Sequence, residues 1–268
     1  DKSMNDFWKF PYPSQRMPVL AGNVVATSQP LAAQAGLRML LKGGNAVDAA
    51  LATAITLTVV EPTSNGIGSD AFALIWDGQK LHGLNGSGRS PQAWSLERFA
   101  GLDEMSTFGW DTVTVPGAVA TWVQLSQKFG KLPFDDLFVA AIEYAKNGFM
   151  VSPITAERWA VAAQTYKGFA DFGKTFLPAG RAPRPGEVFR CADQADTLQA
   201  IAASKGESFY RGDLAEQIAH CAKASGGAMT LEDLANHRSE WEEPIAIDYH
   251  DVCLHQIRPN GQGLAALI

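Results

Sequence analysis

The chain has 268 residues, 46% of them hydrophobic and 19% charged, and a formal net charge of -6 at pH 7. This apolar content is enough for a sizeable core, so we expect a globular protein. Acidic and basic residues are interspersed, which excludes the basic stripe of a nucleic-acid-binding surface.

The chain starts with DKSMNDFWKFPYPSQRM, which lacks a basic region followed by an apolar one. No secretory signal is visible there, so we expect a cytoplasmic protein; a periplasmic or secreted location stays open for a mature form whose signal has been removed. The longest apolar stretch, residues 46–60, contains Asp48 and is shorter than a membrane span requires. We therefore predict no membrane partner.

Two helices are predicted after a short buried strand, NVVAT, at residues 23–27. Ser28 is a candidate N-cap for the first helix, and Gly43 is a stop signal. Asn45 is a candidate cap for the second helix, where Asp48 lies near the positive end of the dipole. The second helix, AALATAITLTVV, is apolar nearly all round, which predicts that it is buried.

A β-hairpin is predicted in AFALIWDGQKLHGLNG, with its turn at Asp77-Gly78. Two amphipathic helices follow at residues 118–129 and 134–146. Residues 164–187 are rich in glycine, proline and aromatic residues, which indicates a surface excursion rather than a linker. We accordingly expect residues 1–268 to form a single domain.

The last third of the chain is predicted to hold three more helices, which start near Asp193, Gly212-Asp213 and Thr230. The segment IAIDYHDVCLHQIRP alternates like one strand, and PNGQGLAALI opens a final helix. Because strands and helices do not alternate steadily, the order predicts an α+β protein or a layered αββα sandwich.

The segment GLNGSGRS, residues 83–90, is one residue away from a phosphate-binding P-loop. Arg89 replaces the lysine, however, and Pro91 follows where the helix of a P-loop should begin, so nucleotide binding is disfavoured. An arginine fork among small residues suits a carboxylate. Two interpretations stay open at this point: Arg89 binds a substrate carboxylate, or it pairs with an acid such as Asp70.

Cysteine and histidine residues offer only a weak metal site. Strand alternation would place Asp251, Cys253 and His255 on one face, but a second ligand cluster is missing. Three widely spaced cysteines predict reduced thiols rather than disulfides. We predict neither a metal nor a cofactor.

Several ordered motifs carry a family resemblance from about Val24 to Ile268. They are SQPLAAQAGLRMLLKGGNAVDAALATAITLTVVEPTSNGIGSDAFALIWDG, VPGAVATW, KFGKLPFDDL, AIEYAKNGF, GESFYRGDLAEQIA, GGAMTLEDLA and the P-I-x-x-x-Y stretch from Pro244. In this order and spacing they resemble the large segment of the γ-glutamyltransferase (glutathione hydrolase) family.

The resemblance implies an N-terminal-nucleophile hydrolase with an αββα sandwich. In that family a precursor cuts itself in two, and the N-terminal Thr of the small segment attacks a γ-glutamyl amide with its own α-amino group as base. The acyl-enzyme then passes to water or to an acceptor amine. The expected partners are therefore a small subunit that carries the Thr and a γ-glutamyl small molecule. The resemblance is also compatible with an assembly of two αβ units.

For this chain the resemblance implies substrate binding by Arg89, which would hold the α-carboxylate, with Ser87 and Ser90 beside it and no catalytic residue of its own. We expect the chain to be a large-subunit piece, because a processing Thr is missing and the sequence stops in mid-helix. An isolated copy should be inactive and expose an apolar face to its partner.

Three departures from the family pattern bear on the substrate. Arg89 is shifted about two positions, Ser69 stands where glycine is usual, and Asn260-Gly261-Gln262-Gly263 replaces a Ser-Ser-Gly-Gly run. The leading hypothesis is cleavage of γ-glutamyl amides such as glutathione. The alternatives are an acylase for glutaryl or cephalosporin-type amides and a non-catalytic binding protein of the same fold.

Overall fold

The computed structural model describes residues 19–268. The segment on which the cytoplasmic location was predicted lies outside these residues, so that location stays a prediction. In the part of the chain that the structure describes, no helix combines the length and the apolar character needed to cross a bilayer.

The described residues form helices and short antiparallel strands. The helices are α1 (Pro30–Leu41), α2 (Ala46–Val60), α3 (Ala118–Phe129), α4 (Val139–Asn147), α5 (Pro153–Thr165), α6 (Ala170–Phe176), α7 (Ala192–Ser204), α8 (Glu207–Arg211), α9 (Asp213–Ala224), α10 (Leu231–Ala235) and α11 (Gly263–Leu267). The strands are β1 (Ala71–Trp76), β2 (Leu81–Gly86), β3 (Phe149–Met150), β4 (Val188–Phe189), β5 (Glu240–Glu242), β6 (Ile245–Tyr249) and β7 (Val252–Gln256).

The start of α1 differs from the prediction. Gln29, not Ser28, is the N-cap, and its Oε1 accepts hydrogen bonds from the backbone N–H groups of Leu31 and Ala32. Ser28 instead donates to the buried carboxylate of Glu61 at the end of α2. Residues 23–27 are not a strand, because no neighbouring strand of the described chain pairs with them.

The start of α2 confirms the predicted cap. Asn45 and Asp48 form a reciprocal capping box, in which the Asp48 carboxylate accepts the Asn45 N–H at 2.8 Å. Asp48 is fully buried and also accepts the backbone N–H groups of Lys131 at 3.1 Å and Leu132 at 3.3 Å. One carboxylate therefore joins α2 to the turn that follows α3.

The predicted hairpin is β1–β2, and β5 pairs with the far side of β2. One face of this sheet packs towards α3 and buries Leu84. The opposite face carries Phe72, Leu74 and Trp76, whose residue surfaces are 46%, 40% and 64% exposed. Strand alternation explains the difference, since every second side chain points the same way. We call this second side the outer face of the sheet.

One connected hydrophobic cluster lies behind the sheet, with α2 and α4 at its centre. Its largest fully buried side chains include Ile55, Phe138, Trp159, Leu198 and Ile201. As predicted, α2 is buried nearly all round; its threonine hydroxyls donate to carbonyls of the preceding turn, so they leave no donor unpaired.

The second half of the chain contains more short elements than the sequence predicted. Helices α5 and α8 were not predicted, and residues 164–187 contain α6. The helix expected at residues 134–146 begins as a 3-10 turn over Phe134–Phe138 and becomes α4. The single strand expected in IAIDYHDVCLHQIRP is wrong, because the chain turns at His250, with φ 54°, to form the β6–β7 hairpin.

Candidate functional site

The glycines of GLNGSGRS allow the backbone of this loop to pack closely against a neighbouring segment of the chain. A Cβ on Gly86 would overlap Thr121, one on Gly88 would overlap the carbonyl of Val115, and one on Gly117 would overlap the carbonyl of Gly86. The loop after β2 is thus pressed against residues 115–117. No helix starts directly after Ser90, which agrees with the argument against a P-loop.

Arg89 lies at the end of this loop with 85% of its side chain exposed. Its Nη2 donates to Oε1 of Glu240 on β5 at 2.8 Å. The interpretation that Arg89 pairs with an acid is confirmed, but the acid is Glu240 and not Asp70, which instead accepts the backbone N–H of Gly88 at 3.3 Å. Burial raises the pKa of the Asp70 carboxyl, and the Gly88 bond partly opposes that rise.

Ser87 belongs to a small polar network that joins two distant segments. Its Oγ lies 2.8 Å from Oδ1 of Asn85 and 3.1 Å from Oδ1 of Asn260. The Asn85 amide also donates to Asn260 Oδ1 at 3.1 Å. Two of the segments in which this chain departs from the family pattern are therefore in direct contact.

Ser90 and Arg89 line a cavity of about 600 Å³ between the loop and the segment after α10. Its other lining residues are Gln92, Val115, Asp233, Asn236, His237 and Arg238. The carboxylate of Asp233 is occupied by Thr230 and by the backbone N–H of Gln92. The side chains of Ser90, Asn236 and Arg238 form no hydrogen bond with any residue from 19 to 268. The cavity thus offers free polar groups to a ligand.

His237 closes one side of the cavity and packs against Tyr210, with the two rings stacked 5.4 Å apart. Burial lowers the pKa of the His237 imidazole, and the positive charge of Arg89 lowers it further. Its Nε2 is buried without a partner in the described part of the chain. No sequence pattern connects this isolated histidine to Arg89, because the two residues are distant along the chain.

The hydrogen bonds among residues 19–268 include no pairing of a nucleophile with a histidine base. Between residues 19 and 268, no Ser, Thr or Cys side chain is hydrogen-bonded to a histidine, so no activated nucleophile is assembled there. Nor does any group of three His, Cys, Asp or Glu side chains gather to hold a metal within this range, and the weak zinc arrangement at Asp251, Cys253 and His255 is not formed. The three cysteines are free thiols, as predicted.

The packing of Gly88 leads to a testable prediction. We expect Gly88→Ala to lower the free energy of unfolding by about 1–3 kcal/mol, because the new methyl group forces the loop away from Val115. The shift also moves Arg89, whose carbonyl accepts the Val115 N–H at 3.0 Å. Thermal unfolding of the complete protein measures the effect. Gly168→Ala is the matched control, since nothing lies within 4 Å of its Cβ position; equal melting temperatures for the two variants would contradict the packing role.

Comparison with known proteins places this chain in a family. A family model described as gamma-glutamyltranspeptidase matches residues 32–268. The glutathione hydrolase-like YwrD proenzyme of Bacillus subtilis is 36% identical over 251 residues, which cover 91% of this chain and 47% of that protein. The chain therefore spans about half the length of the curated relatives it matches.

Two solved structures have the same fold. Cephalosporin acylase from Bacillus halodurans is 50% identical with a TM-score of 0.89, over 97% of this chain and 50% of that one. A gamma-glutamyltranspeptidase from Pseudomonas nitroreducens, complexed with L-DON, is 32% identical with a TM-score of 0.86, over 92% of this chain and 75% of that one. The predicted α+β fold, the large-subunit part of an N-terminal-nucleophile hydrolase sandwich, is confirmed, and the chain belongs to the gamma-glutamyltranspeptidase family.

Proposed function

We propose that this chain is the large-subunit part of a self-processing acylase and that the complete protein cleaves γ-glutamyl amides of the glutathione type. The observation that carries the proposal is Arg89. Its guanidinium stands beside a polar cavity and, among the residues that the structure describes, donates a single hydrogen bond, to Glu240. A planar fork with free donors is suited to a carboxylate, which the glutamyl group carries at its α-carbon.

The outer face of the sheet supports a partner segment. Phe72, Leu74 and Trp76 form an exposed apolar row on β1, and such a row is costly to leave in water. We propose that a second layer, supplied by a small subunit, covers this row and completes the αββα sandwich. Because residues 19–268 assemble no nucleophile, we propose that this subunit also carries the N-terminal Thr.

The reaction we propose proceeds through an acyl-enzyme. The Thr hydroxyl attacks the γ-amide carbonyl while the α-amino group of the same Thr accepts its proton; the amine then leaves, and water or a second amine takes the acyl group. In this reaction, the role that we propose for this chain is to hold the donor in place. Arg89 would bind the α-carboxylate, with Ser87 and Ser90 on either side of it.

A second candidate is an acylase for glutaryl or cephalosporin-type amides. It is favoured by the 50% identity to a cephalosporin acylase and by the shift of Arg89 by about two positions. A glutaryl group also carries a carboxylate, so Arg89 alone suits both donors. In either case we propose one domain that includes residues 164–187 as a surface excursion, since one hydrophobic cluster extends from Ala32 to Leu234.

Mass spectrometry of the purified full-length gene product tests the proposal, followed by hydrolysis of γ-glutamyl-p-nitroanilide and glutaryl-p-nitroanilide on the same sample. We expect two fragments, the smaller beginning with Thr, and release of the chromophore from the γ-glutamyl donor. Release from the glutaryl donor alone would favour the second candidate. An intact chain with neither activity would instead indicate a non-catalytic binding protein.

A further inference from the structure

A short segment before α3 connects the loop after β2 to the start of β1, and we call residues 115–118 the support segment. The N–H of Val115 donates to the carbonyl of Arg89 at 3.0 Å. The N–H groups of the last two residues of the segment donate to the carbonyl of Ser69, at 3.2 and 2.9 Å. The support segment therefore holds these two parts of the chain at fixed positions relative to each other.

Tyr210 of α8 binds the support segment with its hydroxyl group. The residue is buried, and the hydroxyl donates to the carbonyl of Pro116 at 2.7 Å and accepts the N–H of Ala120 at 3.0 Å. Ala120 lies in the first turn of α3, whose N-cap is Gly117 and has no side chain to accept that N–H. The Tyr210 hydroxyl therefore takes the place of an N-cap side chain and joins the helix start to the support segment.

The support segment and the loop after β2 are in direct backbone contact. A Cβ on Gly88 would overlap the carbonyl of Val115, and one on Gly117 would overlap the carbonyl of Gly86. Close-packed atoms of this kind transmit a displacement instead of absorbing it. A shift of the support segment must therefore also shift the loop that carries Arg89.

We infer that Tyr210 is a positioning residue for the proposed reaction. It holds the support segment and, through that segment, the loop that carries Arg89. Tyr210 does not itself line the cavity at Arg89. The inference rests on the proposed function, because that function gives the loop its role. It also assigns a role to the tyrosine of the motif GESFYRGDLAEQIA.

Hydrogen–deuterium exchange of the complete protein tests this role without relying on activity. Tyr210→Phe keeps the ring but removes both hydrogen bonds of the hydroxyl. We expect the Gly88 and Val115 amides, which donate to Asp70 and to the Arg89 carbonyl, to exchange about threefold faster or more. A tyrosine that only caps α3 would speed up exchange in α3 alone. Unchanged exchange at Gly88 and Val115 would therefore overturn the inference.

Trp159→Phe controls for a general loss of stability. Trp159 is also buried, and its Nε1 donates to the carbonyl of Phe176 in α6 at 3.0 Å. The variant should lower the melting temperature but leave exchange at Gly88 and Val115 as in the wild type. Equal acceleration in both variants would mean that lost stability, not the Tyr210 hydroxyl, explains the result.

Kinetics with γ-glutamyl-p-nitroanilide connect the positioning role to the reaction. We expect Tyr210→Phe to raise KM about three- to tenfold and to leave kcat within about twofold, because a displaced loop binds the donor less well both before and during the reaction. Trp159→Phe should leave both constants unchanged. A purely structural role would lower only the amount of active protein, and therefore kcat, with KM unchanged.

Each remaining outcome decides a separate point. If exchange becomes faster but KM does not change, the role of Tyr210 in the reaction is overturned and the proposed function stands. If the wild type does not hydrolyse the donor, the proposed function fails, and exchange alone decides whether Tyr210 holds the loop. If Tyr210→Phe does not fold, exchange of the wild type in increasing urea decides: the Val115 and Ala120 amides should open in one step, and separate openings would overturn the inference.

Discussion

Replacing Arg89 by alanine in the complete protein is expected to lower kcat/KM for γ-glutamyl-p-nitroanilide by about 30- to 1000-fold, which corresponds to roughly 2–4 kcal/mol. The physical reason is the loss of the group that we propose for the donor α-carboxylate, which would leave that carboxylate without its partner. Because the same contact exists before and during the reaction, we expect the loss chiefly in KM.

Two further variants test whether the effect of Arg89→Ala comes from the guanidinium group of Arg89. Arg89→Lys keeps the charge but loses the planar fork, so its kcat/KM should lie between those of the wild type and Arg89→Ala. Arg181→Ala is the matched control, since Arg181 also forms a 2.8 Å pair with a glutamate, Glu187, on the surface. An unchanged kcat/KM in Arg89→Ala would reject the carboxylate role.

Replacing Asp48 by alanine is expected to lower the free energy of unfolding by about 3–5 kcal/mol. The Asp48 side chain is fully buried and accepts backbone N–H groups from three residues, Asn45, Lys131 and Leu132. Without the carboxylate these donors stay buried and unpaired, and α2 loses its capping box. For a protein of this size the loss corresponds to a fall in Tm on the order of 10 °C.

Thermal unfolding of the complete protein, followed by circular dichroism, measures the Asp48 effect. Asp213→Ala serves as control, because Asp213 also lies in the first turn of a helix, α9, but is exposed to solvent. We expect that control to change stability by less than about 1 kcal/mol. A similar Tm for both variants would mean that the Lys131 and Leu132 bonds contribute nothing.

Elements whose causes lie within a few residues were predictable. The Asn45 cap, the Asp77-Gly78 turn and α3 at Ala118–Phe129 each depend on neighbours in the chain, and all three are confirmed. Errors arose where a distant group competes for a side chain. Ser28 looks like an N-cap, but its hydroxyl bonds to Glu61, so Gln29 takes that place.

In the candidate site, too, some residues could be predicted from the sequence and others could not. From the sequence we predicted a substrate site at Arg89, Ser87 and Ser90, because an arginine fork among small residues suits a carboxylate and because the family resemblance implies substrate binding in this region. The sequence could not identify Glu240 or Asn260, since these residues are 151 and 175 positions away from the residues they contact, Arg89 and Asn85. No periodicity or capping rule extends over such a distance.

By itself, then, the sequence determined the family, the α+β class and the elements set by local capping and turn chemistry. Only the tertiary structure decided that β5 lies beside β2, which brings Glu240 to Arg89, and that the loop at Asn260 reaches Ser87. The physical reason is that local patterns act through backbone hydrogen bonds within a few residues, whereas the site depends on which distant segments the hydrophobic core packs together.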